Sequence, residues 1–147
     1  MYKYIEETEK ILEIISCNPV IKSIEIFKDK ELNNISLVHL LLCSYDDNSE
    51  YKLYLSIDMD NDEIILTSNS PDNCNEYELL PISDDIFQCF NSRMIWFWRL
   101  QNQNGYFDAV QFECRTQSDK RFMFQFLVIA SRIMVYRLSA SEIVAPK

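Results

Sequence analysis

The chain has 147 residues, 48% of them apolar or aromatic, and carries a formal charge of −9 at pH 7. A chain of this length buries roughly 68–70% of its unfolded surface as a single domain, so 1–147 is expected to fold as one unit and disorder is excluded. The acidic balance argues against a nucleic-acid partner, and a lone glycine argues against phosphate-cradling loops.

Tyr4, Ile5, Thr8, Ile11, Leu12 and Ile15 recur at helical spacing opposite Glu6, Glu7, Lys10 and Glu13, which predicts an amphipathic helix over 3–17. Asn18-Pro19 ends it, because the residue before proline leaves the helical region. The same acids interrupt what would be the apolar core of a secretory signal, and no apolar run reaches membrane-spanning length. The expectation is a cytoplasmic protein with no membrane partner.

A strand is predicted over 20–28. Residues 35–45 are apolar on both parities, as a central strand covered on both sides would be. Residues 51–58 alternate, and a further strand follows over 63–68. Residues 69–82 are rich in Asn, Ser, Asp and Pro and read as a loop. Ser83 is placed to cap a short helix over 84–91, with Asp84 and Asp85 in its first turn. A hairpin spans 94–115. Phe122, Phe124, Phe126 and Val128 then alternate as a strand, while 129–138 fits either a strand or a helix. The fold class is α+β: an N-terminal helix packed on a mostly antiparallel meandering sheet, with a short second helix near 84–91.

The hairpin is the strongest local signal. Asn104-Gly105 between apolar runs marks a turn because both residues tolerate positive φ. A two-residue turn would pair Trp96 with Glu113 and Trp98 with Gln111. A three-residue loop with Gly105 as a left-handed bulge residue would pair Trp96 with Phe112 and Trp98 with Val110. A slip of one residue exchanges the faces, so the apolar pattern decides. The second register gathers Trp96, Trp98, Leu100, Val110, Phe112 and Cys114 on one face and is the one expected, with both indoles in the core. The opposite face would then carry Phe97, Arg99, Phe107, Gln111, Glu113 and Arg115, with Arg121 on the next strand. Arginine among aromatics is the composition of binding hot spots, although an ordinary outer sheet face has it too.

Charge is uneven along the chain. Residues 1–92 hold 6 Lys and no Arg against 19 acids, giving −13, while residues 93–147 hold 8 Lys and Arg against 4 acids, giving +4. Five cysteines, none in a C-x-x-C pair, fit reduced thiols in a cytosolic protein better than a disulfide frame.

Other constellations are weaker. Asp58, Asp60 and Asp62 imitate the start of a calcium loop, but Glu63 stands where glycine must turn the chain and Asn69 where a bidentate Glu belongs. A solvated hairpin turn is the better reading. His39, the single histidine, reads as a structural imidazole on a strand. Asp108, beside Tyr106 and Phe107, reads first as a partner for turn groups near Asn102. No catalytic set, metal site or cofactor is expected. An enzyme or small-ligand binder would need a pocket between helix and sheet where Arg99, His39, Tyr106 and Asp108 converge.

The run Trp96-x-Trp98, Asn102-x-x-Gly105-Tyr106-x-Asp108-Ala109-x-Gln111 resembles a family of small bacterial proteins of unknown function, over residues 80–138. That resemblance implies a bacterial origin and no catalytic activity. Size and acidity are also similar to those of immunity proteins that neutralise toxins. The function expected is that of a non-enzymatic acidic protein-binding domain, which would associate quickly with a basic partner in low salt. The alternatives are the ligand pocket and a homo-oligomer built through a sheet edge or the mixed face.

Overall fold

The computed structural model describes residues 5–71 and 74–138. Helix α1 (Ile5–Ile15) ends where Asn18 adopts a left-handed φ of 55° and Pro19 leads into the first strand. Positions 3 and 4 of the expected helix lie outside the described residues. Four strands follow: β1 (Val20–Asp29), β2 (Ile35–Cys43), β3 (Glu50–Asp58) and β4 (Glu63–Thr67). After β5 (Tyr77–Leu79) and helix α2 (Asp84–Gln88) come β6 (Ser92–Gln101), β7 (Phe107–Arg115), β8 (Arg121–Ile129) and β9 (Arg132–Leu138).

All pairings are antiparallel, in the order β4-β3-β2-β1-β6-β7-β8-β9, with β5 beside the end of β1. The sheet is two meanders joined by a narrow seam. β1 and β6 share only Val20↔Arg93 and Ile21↔Ser92. At that seam the sheet folds over, so that β4 meets β7 and β8 while β2 meets β9. The inner faces enclose one core, with Ile24, Leu40, Leu55 and Leu66 from the first meander and Val110, Phe112, Phe124 and Phe126 from the second. Ile11 and Ile15 of α1 close its margin. Sheet therefore dominates, and the helices are accessories to it.

Two local expectations change. β5 lies within the stretch read as loop, and its backbone extends the edge of β1. The 129–138 ambiguity resolves as strand because Ala130 and Ser131, with φ of 51° and 61°, form a tight turn that pairs β8 with β9. Elsewhere Asn33, Asn48, Asp62, Asn91 and Asp119 take left-handed φ. A chain with one glycine uses Asn and Asp for this, since their short polar side chains tolerate the conformation best after glycine. Ser83 caps α2 as expected, its hydroxyl accepting the Ile86 N–H.

The hairpin loop is the three-residue one. Asn102 N–H donates to the Tyr106 carbonyl, Gly105 N–H donates to the Asn102 carbonyl, and Gly105 has φ of 86°. The register beyond it is nevertheless corrected. Gln101 faces Phe107, but Leu100 faces Ala109, so Asp108 is an extra residue in β7. From there Arg99 faces Val110, Trp98 faces Gln111, Phe97 faces Phe112 and Trp96 faces Glu113. A second irregularity makes Ile95 extra in β6 and returns Met94 opposite Cys114. The two bulges are one residue each, in opposite strands, and between them every side chain of β6 changes face. Trp96 and Trp98 point outward, and Phe97 and Arg99 point inward.

This arrangement sets different costs for two aromatic truncations. Phe112→Ala is expected to lower stability by about 3–5 kcal/mol, and Trp96→Ala by no more than about 0.5 kcal/mol, in urea unfolding followed by circular dichroism. Ala130→Asn is expected to raise stability by about 1 kcal/mol in the same assay, because Ala holds a left-handed φ there.

Candidate functional site

The outer face of β6, β7, β8 and β9 carries aromatic side chains at both edges and mostly polar ones between them, and we call it the trough. One wall is Trp96 and Trp98, 58% and 38% exposed, with their rings near-parallel at 21° and centroids 6.3 Å apart. The other wall, about 14 Å away across three strand spacings, is β9 with Tyr136, 38% exposed. The floor follows from the register. Glu113 lies between Trp96 and Met123, and Gln111 lies between Trp98 and Gln125. Gln125 Nε2 donates to Gln111 Oε1 at 3.2 Å, and Gln111 Nε2 points at Met123 Sδ at 3.4 Å. Glu113 is only 6% exposed, with Arg121 Nη1 at 4.0 Å. Arg115 sits at the same end, its Nε 3.5 Å from Asp119.

Of the expected contact residues, Gln111, Glu113, Arg115 and Arg121 do share this face. Phe97, Arg99 and Phe107 do not. Phe97 packs against the core. The Arg99 guanidinium carbon lies over the Phe107 ring, 3.8 Å from its centroid. Trp96, Trp98, Met123, Gln125 and Tyr136 take their place in the trough. A signal for this was present. Phe122, Phe124 and Phe126 on the neighbouring strand already fill the inner face, which leaves less room there for two indoles.

Arg99 and Phe107 instead line a cavity of about 290 Å³ between α1 and the strands, together with Leu12, Asp58, Glu63 and Ile65. Glu63 Oε2 accepts the Phe107 N–H at 3.1 Å. Burial pulls the Arg99 guanidinium below its ordinary pKa, and the nearby Glu63 carboxylate opposes that.

The other three groups proposed for such a pocket lie elsewhere. His39 is on the outer side of the first meander, its Nδ1 3.0 Å from Glu25 Oε1 and its ring stacked on Tyr54 at 4.5 Å. Tyr106 is exposed in the hairpin turn. Asp108 is the bulge residue, and its Oδ2 accepts from Asn102 Nδ2 at 3.2 Å, close to the structural role expected of it. The acids of the calcium-like run also diverge. Asp58 Oδ1 accepts the Asp60 N–H, and Asp62 Oδ1 accepts the Ser131 N–H and hydroxyl. Cys43, Cys89 and Cys114 are buried free thiols. The neighbouring Cys114 thiol, together with burial, pushes the Cys89 thiol well above its ordinary range. A wider cleft of about 690 Å³ opens between the turns at the far end, where the Arg93 guanidinium covers Tyr45 at 4.1 Å. Among the described residues, no helix is long and apolar enough to cross a membrane.

A protein family of unknown function, DUF6334, matches residues 19–142. No curated protein matches the chain. The crystal structure of the N-terminal domain of the fibronectin-binding protein PavA from Streptococcus pneumoniae is similar, with a TM-score of 0.51 and 14% identity over 90% of this chain and 51% of that one. The chain spans about half the length of that structure, and the likeness is one of fold.

The outward indoles have a spectroscopic consequence. The native fluorescence maximum is expected near that of indole in water, with ready acrylamide quenching and little shift on unfolding. A strongly blue-shifted, protected native emission would place the tryptophans inside.

Proposed function

The chain belongs to the DUF6334 family, and we propose that it is a cytoplasmic bacterial protein-binding domain, not an enzyme, that engages its partner through the outer trough of the second meander. The observation that carries this reading is the exposure of Trp96, Trp98 and Tyr136 around a floor of half-buried amides. Folded monomers rarely leave such surface in water without a use for it. Trp, Tyr and Arg are the residue types enriched among those that dominate binding energy. The floor adds specificity, because Gln111 and Gln125 present amide donors and acceptors and Arg121 can take a carboxylate.

The partner's chemistry follows from where the charge lies. The trough belongs to the part of the chain that carries +4, and the −13 lies in the part that forms the first meander. At physiological salt, charges more than about 8 Å apart are largely screened, so the trough meets its partner through apolar contact and local arginines. The fitting partner is a polypeptide segment with an apolar anchor and a neighbouring carboxylate. A toxin-neutralising role of the immunity type would instead use the acidic meander and depend steeply on salt. A second copy of this chain is the remaining occupant.

Affinity capture on immobilised protein, followed by titration of the recovered partner, tests the proposal. Trp96→Ala and Trp98→Ala are each expected to cost about 2 kcal/mol of binding, roughly 30-fold in Kd, with modest salt dependence. A partner that binds the double variant as tightly as the unaltered chain overturns the trough. A tenfold or greater loss confined to high salt moves the contact to the acidic meander. Light scattering on the purified protein separates a second copy from a foreign partner.

A further inference from the structure

The six arginines of the second meander differ in what they meet. Arg93, Arg115, Arg121 and Arg137 each meet a carbonyl or carboxylate oxygen, and Arg132 stands exposed to water. Arg99 meets neither kind of oxygen among the described residues. Its strand partner is the fully buried Val110, its guanidinium lies on Phe107, and its Nε is buried without an acceptor. Arg99 is half-buried, and the buried Nε of a cation is costly to leave without an acceptor. Arg99 also lines the cavity under α1, so an anion has a place to sit.

The other walls limit what that anion can be. Glu9, Asp58 and Glu63 line the same cavity, and none of the three forms an ion pair with Arg99. Glu63 is held in place by the Phe107 N–H. A plain carboxylate ligand would meet these acids, and a plain amine would meet the guanidinium. Leu12, Ile65 and Phe107 provide an apolar wall. The volume of about 290 Å³ is at the lower limit of ligand pockets.

We propose that the cavity between α1 and the sheet binds a free α-amino acid with an apolar side chain. Arg99 takes the carboxylate as a two-pronged donor, Glu63 and Asp58 take the ammonium, and Leu12, Ile65 and Phe107 hold the side chain. This site lies on the inner side of β6, away from the trough, and stands or falls independently of the docking proposal.

Calorimetric titration of the full chain with leucine, 4-methylpentanoate and 3-methylbutylamine tests it, since the second lacks leucine's amine and the third its carboxylate. Leucine is expected to bind saturably with Kd on the order of 1 mM or tighter, and each analogue at least about tenfold more weakly. Arg99→Gln is expected to abolish leucine binding while retaining the native circular dichroism. Valine and phenylalanine in place of leucine report how the side chain is accommodated. The proposal is overturned if neither leucine, valine nor phenylalanine binds saturably, if either analogue matches leucine, or if a folded Arg99→Gln binds leucine unchanged. The analogue comparison uses the unaltered chain, so it decides the matter even where the variant fails to fold.

Discussion

One extra residue in β7 governs which side of the molecule meets the solvent with its tryptophans. Asp108 is accommodated as a bulge because its carboxylate is held by Asn102 across the turn. From that point to Ile95, β6 is turned over relative to an uninterrupted ladder. Phe97 and Arg99 enter the interior, and the indoles leave it. The second bulge at Ile95 restores the original parity in time for Met94 to join the core. Ile95 is also where the carbonyl accepts from Asn18 Nδ2, so the return is tied to the end of α1. Both functional proposals, the trough outside and the cavity inside, lie on the segment between these bulges.

Much of the fold was legible because its signals are local. The strands, the leading helix and the Ser83 cap all follow from periodicity and turn chemistry, as does the Gly105 loop. The turn at Ala130-Ser131 was not decisive in sequence, since neither residue favours left-handed φ. The two bulges left no compositional mark either. Asp108 looks like any polar residue near a turn, and Ile95 like any apolar one in a strand. Register is a tertiary property there, and it followed competition for the inner face. With Phe122, Phe124 and Phe126 already present, the core takes the smaller Phe97 and leaves the indoles outside. The convergence of His39, Tyr106 and Asp108 on a pocket failed for a related reason. Alternation places residues on a face, but not on which of two folded-over meanders that face lies.

The chain's charge asymmetry acquires a shape in the structure. The acidic two-thirds forms α1 and the first meander, and the arginine-bearing remainder forms the second. Their apolar inner faces meet in one core, while their outer faces differ in sign. Such a layout orients an approaching charged molecule before any contact forms. Some of the arginines stay within their own meander, Arg115 on Asp119, Arg121 on Glu113 and Arg99 on the Phe107 ring, while Arg93 reaches across to the Asn18 carbonyl and the Tyr45 ring and Arg137 reaches Asp85 of α2.

At the end of β4's hairpin, the Asp62 carboxylate accepts both the N–H and the hydroxyl of Ser131 from the turn between β8 and β9. The seam at Val20 and Ile21 holds the meanders at one place, and this clasp holds them at another. A book closed by a spine and a latch cannot open a little at a time. The two leaves must separate together, so the shared core between them meets solvent only when the whole sheet parts.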